Sequence, residues 1–248
     1  MPTTDDLADE LAIAVGGADI FAVYQPQVSL ESGSIVAAEA LCRWRHPRLG
    51  DIDPSTMIGV AERSGVIHAL GRRMLDECLD ALAGWRETGR DWAVAVNVSP
   101  LQFEDESFAH DVATEFEQRA FPPGSLVLEL TQDVESVGEP VVLPQLHMLR
   151  EVGVEVSLAG YGVNASSLDG LEGVPLAEVK LPGDLVRSTG GPALVSLRDK
   201  VEIAHAHGLR VVAEGVETLT HLDIAVQLGC DRAQGFLIRH PDSDIVFP

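Results

Sequence analysis

After a hairpin near its start, the chain repeats a strand followed by a helix, and this repeat limits its fold more than any other feature. Short apolar runs such as WAVAVNVS, SLVLEL, VEVSL, AEVKL and LRVVAEG alternate with stretches whose apolar residues recur at helical spacing. Such runs are typical of parallel strands buried on both faces, with helices between them. About seven such units favour a closed β/α barrel, although the pattern is also compatible with a doubly wound open sheet.

The segments before the repeat predict an antiparallel start. IFAVYQPQVSL and IVAAEALCRW flank the turn sequence ESGS, so they are predicted to form the hairpin. A short amphipathic helix is predicted over about residues 5–16, and the barrel over about residues 20–241. No low-complexity linker or block of charge divides the chain, so residues 1–248 are interpreted as a single domain.

The net charge and the cysteine content limit which binding partners and which cellular compartment are expected. The formal net charge is −22, which disfavours nucleic acid and anionic membranes as partners. No run reaches the roughly 18 apolar residues of a membrane span, and the acidic start MPTTDDLADELAIAVGG is unlike a signal peptide. Cys42, Cys78 and Cys230 have no CxxC spacing and are interpreted as reduced, mostly buried thiols of a cytoplasmic protein.

Polar side chains stand at the C-terminal ends of six predicted strands, which is the end of a β/α barrel where active sites form. They are Glu39, Asn97, Glu129, Lys180, Glu214 and Gln234, with Glu217 one helical turn after Glu214. A lone buried charge costs several kcal/mol, so each charged member needs a partner or a ligand. A solvated strand end is the alternative for any one position, but six in register favour a site.

The strand VEVSL is the exception, because it ends in Ala159 and Gly160, which can neither ligate a metal nor carry a charge. Elsewhere, Glu39, Asn97 and Glu129 offer the oxygen ligands that Mg²⁺ prefers. Two ions about 3.5–4 Å apart are the usual device for in-line phosphodiester cleavage. The sequence therefore predicts an incomplete metal set, from which the carboxylates for a second ion are missing.

At these motifs the chain resembles the EAL family of cyclic di-GMP phosphodiesterases. The motifs, which occur in the family's order, are YQP at 24–26, EAL at 39–41 followed by CRWRHP, VNVS at 96–99, LELT at 128–131, VVAEGVET at 211–218 and CDRAQGFL at 230–237. The resemblance implies a TIM-like (β/α) barrel with an antiparallel first strand. It also implies a role in bacterial signalling through the second messenger cyclic di-GMP.

The resemblance also implies roles for single residues. Glu39, Asn97 and Glu129 match the family's metal ligands, while Lys180 and Glu214 match its catalytic positions. The implied ligand-binding residues are Gln25, Leu41, Arg43, Asn97, Lys180, Glu217 and Gln234. Arg43 matches a phosphate-binding arginine, which suits a planar donor fork, and a surface ion pair is the alternative for it.

The chain departs from the family pattern at its acidic positions. LAGYGVNASSL replaces a pattern like LDDFGTGYSSL, so Ala159 and Gly160 occupy the places of two metal-binding aspartates. Pro182 replaces a third acid, Gln132 replaces a glutamate that supports the family's regulatory loop, and VNA replaces TGY at 163–165. These losses together predict a pseudoenzyme in which Lys180 and Glu214 are vestigial.

Three functions are compatible with such a site. The favoured one is a catalytically degenerate domain that binds cyclic di-GMP without cutting it, because fewer carboxylates repel the dinucleotide's two phosphates. The first alternative is a regulatory protein-interaction module that no longer binds nucleotide, and the second is a residual phosphodiesterase that uses one metal. The favoured function requires no cofactor, although weak binding of Mg²⁺ is compatible with it. Cyclic di-GMP, a protein partner and a second copy of the chain are the candidate partners.

Overall fold

The computed structural model describes residues 4–130, 140–163, 173–188 and 192–243. Its strands are β1 (Ile20–Ser29), β2 (Ile35–His46), β3 (Gly50–Ile52), β4 (Ala93–Val98), β5 (Leu126–Leu130), β6 (Glu155–Leu158), β7 (Glu178–Leu181), β8 (Arg210–Ala213) and β9 (Arg232–Gln234). Its helices are α1 (Thr4–Ala14), α2 (Pro54–Ser64), α3 (Ile67–Glu87), α4 (Phe108–Gln118), α5 (Val142–Glu151), α6 (Gly183–Ser188), α7 (Pro192–Ala206) and α8 (Leu219–Leu228), with a short 3₁₀ helix over Pro100–Glu104. A further short helix predicted from Ser166 lies outside the described residues.

The sheet closes on itself. Its strand order is β1–β9–β8–β7–β6–β5–β4–β2, and β2 pairs back with β1, while β3 extends the sheet from β2. β1 is antiparallel to both of its neighbours, with Gln25 opposite Glu39 on β2 and Gln27 opposite Gln234 on β9. The pairs from β2–β4 round to β8–β9 are parallel. The predicted barrel with an antiparallel first strand is confirmed, and the open sheet is wrong because β1 joins its two edges.

The main apolar core lies between the barrel and its outer helices. It includes Val94 and Val96 of β4, Leu126 and Leu128 of β5, and the apolar face of α3. Side chains alternate along a strand, so the residues between these point into the barrel. There, Ala37, Ala93, Ala95 and Val127 form a small cluster of their own. Small side chains at this level leave room inside the barrel for longer polar side chains.

A second core, which the sequence did not predict, fixes α2 beside the C-terminal end of β2. α2 begins after Asp53, whose side chain accepts a hydrogen bond from the Thr56 amide, and Pro54 occupies its first turn. Leu11 of α1, Trp44 of β2 and Met57 of α2 are buried together in this core. Because α2 packs on both α1 and β2, its position is set by apolar contacts on two sides.

Charged side chains fill the barrel interior where the parallel strands begin. Glu178 is only 1% exposed, and its carboxylate accepts a hydrogen bond from Arg210 Nε at 2.6 Å. Arg210 Nη2 also donates to Glu155 Oε2 at 2.6 Å, and Arg232 Nη1 lies 3.4 Å from Glu178 Oε2. Glu178 therefore holds two arginines together at this end of the barrel.

None of the helices in the described ranges is long and apolar enough to cross a membrane.

Candidate functional site

Lys180 lies at the centre of a buried cluster near the C-terminal ends of the strands. It belongs to β7 and is fully buried, and its Nζ donates to Glu39 Oε2 at 2.8 Å. The same Nζ donates to the two carboxylate oxygens of Glu129 at 2.8 and 2.9 Å, and it lies 3.1 Å from Glu214 Oε1. We call these four residues the acid–lysine cluster. One ammonium group thus faces three carboxylates from three different strands or strand ends.

Amide side chains continue the cluster on both sides. Asn97 Nδ2 donates to Glu39 Oε1 at 2.9 Å, and Gln234 Nε2 donates to Glu39 Oε2 at 2.7 Å. Gln234 Nε2 also donates to Gln25 Oε1 at 2.9 Å, and its own Oε1 accepts from Gln27 Nε2 at 3.1 Å. Gln27 belongs to this hydrogen-bonded network but was not among the predicted site residues. It lies two residues after Gln25 on the same strand, so alternation along the strand could have indicated it.

The electrostatic environment drives the pKa values of the acids apart. Burial alone would raise the pKa of Glu39, but the Lys180 charge and the hydrogen bonds from Lys180, Asn97 and Gln234 outweigh it, so the pKa falls below its ordinary value. Burial and the negative charge of Glu39 raise the pKa of Glu129 well above its ordinary value, despite Lys180.

Lys180 itself remains an ammonium group at neutral pH. Burial would lower its pKa, but Glu129, Glu39 and Glu214 together raise that pKa well above its ordinary value. Burial also raises the pKa of Glu214, although Lys180 opposes this effect. The cluster therefore combines a permanent cation with acids that differ in proton affinity.

A cavity of about 550 Å³ opens beside the cluster, bounded by β2, β4 and the helices α2 and α3. Four predicted site residues line it: Glu39, Leu41, Arg43 and Asn97. Arg43 Nη1 donates to the Cys42 carbonyl at 2.9 Å. Within the described ranges Arg43 makes no salt bridge, so the ion pair considered as its alternative is not present there.

The remaining predicted ligand-binding residues do not line this cavity. Gln25, Lys180 and Gln234 are buried in the hydrogen-bonded network beside it. Glu217, whose side chain is 45% exposed, instead lies 3.4 Å from Arg187 Nη1. The structure thus brings together the predicted residues of β1, β2, β4, β5, β7 and β9 with Glu214, which follows β8, and it places Glu217 at the surface.

The two residues that follow β6, Ala159 and Gly160, carry no polar side chain. Ala159 donates its amide to the Leu130 carbonyl at 3.0 Å, beside the strand that carries Glu129. Gly160 has a φ of 77°, and a Cβ placed on it would meet nothing within 4 Å. Pro182 follows β7, and its carbonyl accepts from the Leu185 amide at the start of α6. Gln132, Asn164 and Ala165 lie outside the described residues.

The residues of the cluster, as arranged, do not fit a divalent metal ion. Glu39 and Glu129 direct carboxylate oxygens to Lys180 Nζ, and Asn97 turns its amide nitrogen rather than its oxygen to Glu39. In the part of the chain that the structure describes, no group of three or more His, Cys, Asp or Glu side chains has the geometry to hold an ion. The metal set that the family resemblance implied therefore stays a prediction.

Chelation should leave the stability of the chain unchanged. A bound ion raises the melting temperature according to its concentration and affinity, and here Lys180 Nζ already pairs with Glu39 and Glu129, the acids that would hold one. We expect the same melting temperature in EDTA and in Mg²⁺, measured by differential scanning calorimetry at one ionic strength. A fall of many degrees in EDTA would contradict this and reveal a structural metal.

The fold and the cluster define a class: a β/α barrel closed by one antiparallel strand, with acids, amides and a lysine at the C-terminal ends of its strands. The EAL domain model matches residues 8–241. The chain therefore belongs to the EAL domain family, as the motifs predicted.

Similar proteins include enzymes of cyclic di-GMP metabolism. The chain is 34% identical over 223 residues to the bifunctional diguanylate cyclase/cyclic di-GMP phosphodiesterase MucR of Pseudomonas aeruginosa, with 88% of the chain and 32% of that protein covered. A second Pseudomonas aeruginosa protein, named a cyclic di-GMP phosphodiesterase, is 32% identical over 238 residues, with 95% of the chain and 40% of that protein covered. The chain thus spans a third to two fifths of the length of these relatives.

Solved structures agree with the family and the fold. The PaMucR phosphodiesterase in complex with c-di-GMP has a TM-score of 0.86 and 31% identity, covering 95% of this chain and 97% of that one. The FimX EAL domain has a TM-score of 0.89 with 18% identity, covering 98% of both chains. At that identity the second likeness concerns the fold alone.

Proposed function

We propose that this EAL domain is a receptor that binds cyclic di-GMP without hydrolysing it. The observation that carries the proposal is that Arg43 lines the 550 Å³ cavity and has no salt-bridge partner in the described ranges. Phosphate oxygens suit the planar donor fork of arginine. Although the chain has a net charge of −22, a guanidinium group that has no salt bridge and lies beside a cavity attracts an anion locally.

The shape of the cavity supports the proposal. Ligand pockets usually measure about 300–1,000 Å³ and combine apolar walls with a few polar groups. Here Leu41, Met57 and Ile58 supply apolar wall, while Arg43 and Asn97 supply hydrogen-bonding groups. A nucleotide base can pack on these apolar side chains while its phosphate group accepts hydrogen bonds from Arg43 and Asn97.

The acid–lysine cluster supports binding without cleavage. Lys180 offsets part of the negative charge of Glu39, Glu129 and Glu214. A phosphate that approaches the cavity is therefore repelled less than it would be by these three acids without the lysine. Ala159 and Gly160, which follow β6, add no further acid at this end of the barrel. The site thus has groups that attract a phosphodiester but lacks the acids with which the family holds two ions.

Replacing Arg43 should weaken nucleotide binding in the absence of metal. We expect calorimetric titration with cyclic di-GMP in EDTA to show binding to the wild-type chain. Arg43→Ala should reduce the affinity by about 1.5–3 kcal/mol, the contribution of a charged hydrogen bond, or roughly ten- to 150-fold. Rising salt should weaken wild-type binding too, because the attraction is partly Coulombic.

Arg45→Ala is the matched control, because Arg45 lies on the same strand but already pairs with Asp51 at 3.2 Å and is 68% exposed. It should leave the affinity unchanged. If the wild-type chain gives neither heat nor a thermal shift at high ligand excess, the receptor proposal fails. The protein-interaction module would then be the better account of the site.

A further inference from the structure

We propose that the surface between α3 and α4 is a docking site for a partner protein that inserts one aliphatic side chain flanked by lysine or arginine. A cavity of about 80 Å³ lies there, lined by residues of both helices and of the 3₁₀ helix. Arg43 does not line this cavity, so the docking site stands whether or not the chain binds a nucleotide.

The walls of the cavity suit an aliphatic side chain. Its apolar lining consists of Leu75, Leu79, Phe108 and Val112. The ring of Phe108 is held in place by an edge-to-face contact with the buried ring of Phe103, with the centroids 5.0 Å apart. For scale, an apolar cavity of roughly 150 Å³ takes up benzene. A cavity of about 80 Å³ therefore has room for a single smaller apolar group, which is the anchor of the partner.

The rim of the cavity is negatively charged. It carries one arginine, Arg72, and four carboxylates, those of Asp76, Asp105, Asp111 and Glu115. Arg72 pairs with Asp111 at 2.6 Å and with Glu115 at 3.6 Å. Asp76 and Asp105 make no salt bridge within the described ranges. Charge complementarity therefore selects a partner segment that places lysine or arginine beside its apolar anchor.

Gln102 adds a hydrogen-bond donor beside the cavity. It is only 2% exposed and lies between this cavity and the 550 Å³ cavity, lining both. Its Oε1 accepts from the Ser99 amide at 3.1 Å, but its Nε2 makes no hydrogen bond to the residues that the structure describes. The amide group packs on Gly71, where a Cβ would come within 2.1 Å of Nε2. A buried donor is costly without an acceptor, and a backbone carbonyl of a docked segment can supply one.

Two peptides that differ at one residue test the anchor. Both are acetylated and amidated pentapeptides, KRLRK and KRSRK, so they carry the same charge. Each is titrated into the isotope-labelled wild-type chain at physiological salt, and the amide chemical shifts are followed by nuclear magnetic resonance. We expect KRLRK to bind roughly tenfold more tightly, because only its leucine transfers apolar surface from water into the cavity. The shift changes should be concentrated in α3, α4 and the 3₁₀ helix.

Two double variants test the charge. Asp76→Asn/Asp105→Asn removes the two unpaired carboxylates of the rim but keeps an oxygen acceptor for the Ser107 amide and hydroxyl. It should bind KRLRK roughly fivefold more weakly, because exposed ion pairs contribute modestly. Asp199→Asn/Glu202→Gln is the matched control, since it removes two exposed carboxylates from α7 and changes the net charge equally. It should leave the affinity nearly unchanged.

Three results would overturn the proposal. The first is that KRLRK gives no saturable shift changes at millimolar concentration. The second is that both peptides bind equally well or shift amides over the whole surface, which would mean that the net charge alone attracts them. The third is that the two double variants weaken binding equally. The peptide comparison uses only the wild-type chain and no nucleotide, so it needs no variant to fold, and its failure says nothing about the receptor proposal.

Discussion

The chain should leave cyclic di-GMP intact when it is incubated with Mg²⁺ or Mn²⁺. In-line phosphodiester cleavage usually needs two ions that stabilise the attacking and leaving oxygens, and Ala159, Gly160 and Pro182 stand where the family resemblance places acids. Losing the second ion removes several kcal/mol of charge stabilisation, so we expect turnover to fall by roughly 10²-fold or more. Chromatographic detection of the linear dinucleotide measures the result.

An intact EAL phosphodiesterase assayed in parallel provides the positive control. Turnover by this chain within tenfold of that enzyme would favour the residual phosphodiesterase instead. The double variant Ala159→Asp/Gly160→Asp tests whether the two acids missing after β6 are enough to account for the lack of turnover. Position 160 has room for a side chain, and aspartate is among the residues that adopt a positive φ most readily.

Glu178→Ala should be the most destabilising single change at the other end of the barrel. Removing one partner of a buried ion pair typically costs about 3–5 kcal/mol, because it leaves uncompensated charge. Here it would leave Arg210 and Arg232 facing each other without the carboxylate between them. Burial and the neighbouring Arg210 already lower the pKa of Arg232, which indicates how poorly this place tolerates more positive charge.

Urea unfolding followed by circular dichroism measures this loss as a change in the free energy of unfolding. Glu202→Ala provides the control, because Glu202 is exposed on α7 and a substitution there should change stability by less than about 0.5 kcal/mol. A loss below about 1 kcal/mol for Glu178→Ala would mean that water or a neighbouring group replaces the carboxylate.

The fold was predictable because its signals are local. Apolar runs gave the strands β4 to β8, and the turn ESGS between two apolar segments gave the hairpin of β1 and β2. α2 was missed although Asp53 and Pro54 carry a helix-start signal, the N-cap acid followed by proline. β3 was missed because three residues, Gly50–Ile52, are too few to show alternation.

The positions of the candidate residues at the strand ends were predictable, but the contacts between these residues were not. Strand alternation and register place Glu39, Glu129 and Lys180 at one end of the barrel, as expected. The hydrogen bond between Lys180 and Glu39, however, joins residues 141 positions apart and depends on the closure of the whole sheet. The surface position of Glu217 likewise depends on its contact with Arg187. The domain count, a homodimer and a cytoplasmic location stay predictions.

The polar cluster inside the barrel has an evolutionary consequence. Glu39, Glu129 and Lys180 occupy space above the small side chains of Ala37 and Ala95, so they serve as interior filling as well as chemistry. A lineage that gives up phosphodiester cleavage would still be selected to keep them, since replacing any one leaves a buried charge unmatched. The EAL motif in a chain therefore indicates common descent and a stable barrel interior, and it does not by itself indicate phosphodiester cleavage.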